Sequence, residues 1–267
     1  MKQIIKALVF LPIVALSSCS FLGKQVDEEF VNKYEEKIVD MDDLEYVTLK
    51  LNVSATEGKE KTQSKGKYLL KKDKDDNKYF FVDGAHGEEK EYIEIYQVKN
   101  ETYEEVTWIK YLEDGKESTV AYAKKDNDNY SKQTNDYTMS AGLVPALMYA
   151  VASKPSQAAK ELLDEDGTES TITYYSTGEK NLTLKKVIKE ASNSSSKEPA
   201  ASSSEEEKDE ENPISGNVVI TYNNYLLSSF NATTTSNLGN KQKIDGAASY
   251  GKLTISLPSG WEKVLAK

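Results

Sequence analysis

Few side chains in this sequence could do chemistry. The 267 residues hold one histidine and one cysteine, and every basic residue is a lysine, with no arginine. His86 stands in "VDGAHGEEK" (82–90), a glycine-flanked turn, and any Ser-His-Asp relay would rest on it alone. A Cys/His zinc site has too few ligands to draw on. "DKDDNK" (73–78) begins like a calcium loop, with Asp73, Asp75 and Asn77 at ligand spacing. Lys78 then replaces the glycine such a loop needs and Gly84 stands where the bidentate acid belongs, so a hairpin turn is the better reading. "LDEDGTE" (163–169) fails in the same way, with Glu169 at the glycine position. No GxxxxGK[ST] phosphate loop is present, and the missing guanidinium forks remove the usual bidentate grip on phosphate and carboxylate groups. The 44 acids supply many conceivable carboxylate pairs for glycoside chemistry, yet sequence spacing says nothing about separation in space. The expectation is no catalytic residue, no cofactor, no metal, and a protein that is not an enzyme.

The sole cysteine follows a leader. Residues 1–18 start with Met1, Lys2 and Lys6, continue through an apolar run from Ala7 to Leu16, and end in Ser17 and Ser18. That is a positive n-region, a short h-region and a small-residue cleavage site. The run is shorter than the roughly 20 apolar residues a membrane span needs, and Pro12 interrupts its backbone hydrogen bonds. Leu16-Ser17-Ser18-Cys19 resembles the lipobox of bacterial lipoproteins: an aliphatic residue, two small residues, then the cysteine. The resemblance implies that Cys19 is joined to diacylglycerol and becomes the mature N-terminus, with the membrane as partner through that lipid and the protein on the extracytoplasmic face. Each buried acyl methylene contributes roughly 0.8 kcal/mol, so two or three chains anchor a domain firmly. An ordinary secretory signal would instead leave one unpaired thiol in an exported protein, which is the odder outcome.

Net charge is −10, or −12 once Lys2 and Lys6 leave with the signal. Acidic balance disfavours nucleic acid, whose binding depends on neutralising phosphates, and equally disfavours docking of the folded domain on an anionic leaflet. With no internal disulfide available, the domain must be held by its core.

The elements that would carry any site can be read from periodicity. Residues 20–26 read as a tether reaching at most roughly 25 Å. Over 27–42, Phe30, Tyr34, Ile38 and Met41 recur at helical spacing with acids in the first turn, which predicts an amphipathic helix. "EYVTLKLNVSA" (45–55) alternates Val47, Leu49, Leu51 and Val53 with polar residues, the mark of a strand with one wet face. Further strands are expected at 66–71, 78–83, 91–98, 104–112, 118–124, 169–176, 181–189, 216–230 and 250–257, and their short connections imply an antiparallel meander. The stretch 138–167 breaks the pattern: Leu143, Val144, Leu147, Met148 and Val151 predict a helix over 143–152 that is apolar all round and therefore buried. Pro155 and Ser156 predict the start of a second short helix over 156–164. The stretch 191–212 has two lysines against seven acids and no large apolar residue, which predicts a disordered loop inside one domain spanning 27–267.

Ten aromatic residues fall on the expected strands: Tyr46, Tyr68, Tyr79, Phe81, Tyr92, Tyr96, Trp108, Tyr111, Tyr122 and Tyr222. Strands favour tyrosine in any case, so these side chains are either core or, with Leu143, Leu147, Met148 and Val151, the lining of a cavity for an apolar ligand. The fold expected is α+β: a large, curved, mainly antiparallel sheet, a half-open barrel, with the N-terminal helix and the mid-chain helical insertion on its concave face. This order of elements behind a lipobox is similar to that of LolA/LppX-type lipoproteins, and "ITYNNYLLSSFNATTTS" (220–236) is similar to their late strand pair; the acidic stretch 191–212 departs from that order. The resemblance implies a carrier or binding lipoprotein for a hydrophobic small molecule or lipid. The residues expected to line its site are Leu143, Leu147, Met148, Val151, Trp108 and Tyr122. The competing expectation is a non-enzymatic structural or interaction lipoprotein that meets an envelope protein.

Overall fold

Alternation sets the architecture. In the strand over 46–57, Val47, Leu49 and Leu51 are buried while Lys50 and Asn52, on the alternate positions, are exposed, as a strand with one covered face requires. The computed structural model describes residues 23–39, 43–71, 77–86, 88–125, 129–141, 154–161, 168–190, 213–236 and 239–266. Twelve strands run through them: β1 (Lys24–Val26), β2 (Tyr46–Glu57), β3 (Glu60–Lys71), β4 (Asn77–His86), β5 (Glu89–Asn100), β6 (Glu104–Glu113), β7 (Lys116–Ala123), β8 (Thr168–Gly178), β9 (Asn181–Glu190), β10 (Pro213–Asn223), β11 (Leu226–Ser236) and β12 (Lys241–Ser249). Three helices accompany them: α1 (Glu28–Glu35), α2 (Tyr130–Ala141) and α3 (Pro155–Glu161).

All neighbouring strands are antiparallel and form one open, curved sheet in the order β1-β8-β9-β10-β11-β12-β2-β3-β4-β5-β6-β7. Two meanders, β2–β7 and β8–β12, are thus joined through the pairing of β12 with β2. The α+β class and the large antiparallel sheet agree with the expectation.

Register assigns each strand residue to a face. Leu49, Tyr68, Phe80, Ile95, Ile109 and Val120 form one cross-strand row through the first meander. Leu184, Ile220 and Phe230 do the same in the second. Both rows belong to one apolar core that also takes in Val31 and Tyr34 of α1 and Ala158 of α3. These helices therefore cover the concave, or inner, face.

Local signals explain most element ends. The Asp27 carboxylate caps α1 by accepting from the Phe30 amide at 2.9 Å. The helix stops at Glu35, short of the expected 42, because the Val39 amide donates to the Tyr225 carbonyl at 3.1 Å and draws the chain onto a hairpin. That hairpin is where the expected single strand over 216–230 divides. Asn224 and Tyr225 adopt φ of 52° and 64°, and Asn223 faces Leu226 across a two-residue turn of the kind that closes antiparallel strands.

Several expectations need correction. The tether is shorter than 20–26, since Lys24–Val26 forms β1 on the edge of β8. Gly23 permits this at φ 91°, where a Cβ would meet the Ser176 carbonyl oxygen at 2.3 Å. The last strand is Lys241–Ser249 and not 250–257. Tyr250 still packs with the inner core while Leu257 packs with Trp108 on the other face, so this segment passes from one face of the sheet to the other, which no strand within the sheet can do. The turn expected around His86 is tighter, for β4 runs on through His86, opposite Thr62 and Glu89. The second short helix, α3, is described over Pro155–Glu161 with Pro155 in its first turn, and positions 162–164 of the expected span lie outside the described residues. The helix α2 over 130–141 has no counterpart in the expectations. Its buried positions Tyr130 and Thr134 lie one turn apart and are too polar to stand out as a stripe.

Both sheet edges are short of open hydrogen-bonding length. Three-residue β1 covers one side of β8, and at the far edge Ala121 pairs with Leu265 and accepts from the Ala266 amide at 2.8 Å. Such cover suppresses edge-to-edge association. The leader with Cys19, Met41, residues 73–76 of the expected turn, the expected helix 143–152 and the acidic stretch 191–212 lie outside the described residues.

Candidate functional site

The inner face carries a cavity where α1, α3 and β8 meet. Its volume is about 360 Å³, and it is lined by Glu28, Val31 and Asn32 of α1, Ser156 of α3, and Ile172 and Tyr174 of β8. The three α1 residues stand at i, i+3 and i+4, the spacing that places side chains on one helix face. Ile172 and Tyr174 stand two apart in β8 and so share the inner face.

Two adjacent residues of α1 hold the cavity walls. The Tyr34 hydroxyl donates to the Lys180 carbonyl at 3.1 Å and accepts from the Tyr225 amide at 3.2 Å, which pins the helix to two hairpins. Its ring contacts Phe30, Tyr222 and Tyr225 at centroid distances of 6.4, 6.5 and 4.9 Å. Burial pushes the Tyr34 phenol up to about 12, opposed by the Tyr225 backbone hydrogen bond. Next to it, the Glu35 carboxylate accepts from the Ser156 amide at 2.6 Å and from the Ser156 hydroxyl at 3.0 Å. Ser156, expected to cap α3 with its own side chain, instead presents both donors to an acid from another helix.

The electrostatics keep the phenols neutral. Burial, then the Glu35 and Glu28 carboxylates, raise the Tyr174 pKa, and burial followed by Glu35 raises that of Tyr222. Tyr174 is therefore a protonated donor in a cavity whose other polar groups are a carboxylate, an amide and a hydroxyl, beside apolar Val31 and Ile172. That mixture suits an amphiphile with an apolar body and a hydrogen-bonding end. Among the described residues no group of three or more His, Cys, Asp or Glu side chains could hold a metal ion.

A second constellation occupies the outer face. There Glu94 accepts from three phenols: Tyr79 at 3.1 Å and Tyr96 at 3.0 Å on one oxygen, and Tyr92 at 3.0 Å on the other. Tyr79 stacks edge-on to Tyr96 and Tyr96 to Trp108, at 4.6 and 5.6 Å between centroids. Lys67 and Lys110 lie over the Tyr79 and Tyr92 rings. Burial, then Glu94, push Tyr92 and Tyr96 each up to about 12 and raise Tyr79 further. Trp108, Val106 and Ala121 are covered by Leu257, Trp261, Val264 and Leu265 of the C-terminal segment.

The structure thus divides the ten strand aromatics between two faces. Tyr68, Tyr111, Tyr122 and Tyr222 point inward; Tyr46, Tyr79, Phe81, Tyr92, Tyr96 and Trp108 point outward. Trp108 and Tyr122 occupy opposite faces, because Trp108 is opposite Ala121 while Tyr122 is opposite Thr107. Tyr122 packs against the inner core, its phenol pKa raised by burial. Leu143, Leu147, Met148 and Val151 lie outside the described residues. None of the six cavity residues was singled out as a ligand contact from sequence. The helical stripe of α1 could have flagged Val31, but the Glu35–Ser156 clamp joins residues 121 apart and leaves no local signal.

No family model matches the chain, and no curated protein matches it. Among solved structures it is similar to a DUF1329 family protein from Desulfovibrio piger, at 9% identity and a TM-score of 0.24, over 85% of this chain and 92% of that one. The architecture consequently rests on this chain's own strand pairing.

Proposed function

We propose that the protein is a lipid-anchored lipoprotein of the extracytoplasmic membrane face that binds a hydrophobic ligand such as a lipid. The observation that carries this reading is the cavity of about 360 Å³ between α1, α3 and β8. Its volume falls within the range of small-molecule sites, with Val31 and Ile172 offering apolar contact and Glu28, Asn32, Ser156 and Tyr174 offering hydrogen-bonding groups to the polar end of an amphiphile. Anchoring at Cys19 fits its placement. Lys24 lies five residues along the chain from Cys19, a span of at most about 17 Å, and Val26 of β1 pairs with Tyr174 of the cavity. A lipid on Cys19 would hold this end of the sheet close to the bilayer. No helix among the described residues is long and apolar enough to cross a membrane, so the acyl chains would be the anchor.

The test is mass spectrometry of organic extracts from protein purified without detergent. Stoichiometric lipid supports the carrier reading. Clean extracts, with no uptake of added phospholipid, would sink it and favour a structural or protein-interaction lipoprotein of the cell surface.

A further inference from the structure

The three strands at the middle of the sheet carry a charge pattern that neither the core nor the cavity uses. β12, β2 and β3 stand sixth, seventh and eighth across the twelve strands, so on the convex side they form the crest of the curve. Register turns Lys61, Lys65, Lys67 and Lys71 of β3 outward, and with them Lys50 of β2 and Lys241 and Lys243 of β12. Against these seven lysines the outward positions of the same strands hold one acid, Asp245, 2.7 Å from Lys243. On the neighbouring strand Asp83 faces Lys65. The inward positions of the three strands hold no lysine at all. In a chain of net charge −10 this is segregation of sign: Glu28, Glu29 and Glu35 of α1, with Asp27 at its N-cap, lie across the sheet.

Two features turn this pattern toward an external partner. Lys50 and Lys67 are directly opposed across β2 and β3, a like-charge pair that weakens the sheet containing it. The array is also long, for Lys61 to Lys71 covers roughly 33 Å of strand. Lysines are compact point charges without the bidentate fork that grips a single phosphate, so an extended row of them suits many anionic groups lying in a plane. Phe81, opposite Lys67, and Tyr92, opposite Asp83, flank the row on the outer face with rings of the kind enriched at lipid–water boundaries.

We infer that the convex crest of β12, β2 and β3 docks on an anionic lipid surface through its lysines. The acidic net charge argues against such docking only if the charge is spread evenly, and the register shows that it is not. The contact is electrostatic, graded by lysine number at about fivefold in partitioning for each lysine near the surface, and screened by salt. It is independent of what the cavity holds.

The test uses the mature chain, residues 19–267, carrying Cys19→Ser, so that neither an acyl chain nor the apolar leader contributes, with phosphatidylcholine vesicles containing or lacking about one third phosphatidylglycerol. Binding should favour the anionic vesicles and fall in about 0.5 M salt. Lys50→Gln/Lys61→Gln/Lys65→Gln, all at exposed positions, should lower partitioning roughly a hundredfold. Removing equal charge at exposed Lys132, Lys154 and Lys252 should change it by less than about threefold. Equal losses from the two triple variants, or equal binding to neutral vesicles, would overturn the proposal. Binding to soluble polyphosphate without binding to vesicles would overturn it in favour of an anionic polymer.

Discussion

The inner and outer clusters are both built on tyrosine and glutamate, yet they are assembled differently. Around α1, Tyr34 and Glu35 reach partners 146, 191 and 121 residues away. Around Glu94, the three phenols come from its own strand and the neighbouring one, at separations of 15, 2 and 2 residues. The outer cluster follows from pairing β4 with β5. The inner cluster exists only when the whole sheet has formed and its hairpins present Lys180 and Tyr225 to the helix. Long-range clamps position the cavity; local ones decorate the sheet.

The largest expected difference lies in stability. Tyr34→Ala removes a buried ring and two hydrogen bonds and should cost about 3–5 kcal/mol in denaturant unfolding. Tyr92→Ala, on the outer face, should cost about 1 kcal/mol. Equal costs would show that the two clusters are held alike. The next effect is local. Glu35→Ala leaves the Ser156 donors without their carboxylate and should cost about 1.5–3 kcal/mol, with faster amide exchange confined to α3 and the facing turn of α1. Exchange that accelerates across the outer strands as well would contradict a clamp specific to the cavity.

The smallest effect is an alkaline one. The Tyr92 and Tyr96 phenols are raised to about 12 in the folded protein, against about 10 when unfolded. Their contribution to stability is whole below pH 10 and declines as pH climbs from about 10 toward about 12, because the unfolded chain releases protons first. Titration of phenolate absorbance should show a delayed group of tyrosines, and Glu94→Gln should advance part of that group by removing the carboxylate. A titration unaltered by Glu94→Gln would leave burial as the sole cause.

The same contrast explains what could be read from the sequence. β2 was legible because Val47, Leu49 and Leu51 alternate with Lys50 and Asn52, and the outer tyrosines were visible as strand residues. β12 was not, since its inward positions include Gly246 and Ala248, which fit beneath the core without a hydrophobic signal. β1 shows no period over its three residues, and α2 shows no apolar stripe because its buried positions include Thr134. Trp108 and Tyr122 were grouped as lining residues although strand parity across β6 and β7 separates them; that separation depends on register, which composition does not reveal. The cavity was least legible of all, being made by residues from α1, α3 and β8 that no local pattern connects.

The central claim is that a hydrophobic ligand enters the concave face beside β8. Uptake of a fluorescent fatty-acyl probe by Ile172→Trp and Thr173→Trp tests it most directly, because these neighbours point to opposite faces of the same strand. Ile172→Trp should fill the cavity and abolish saturable uptake, while Thr173→Trp should bind as the unaltered protein does. Uptake retained in Ile172→Trp, or lost equally in both, would contradict it.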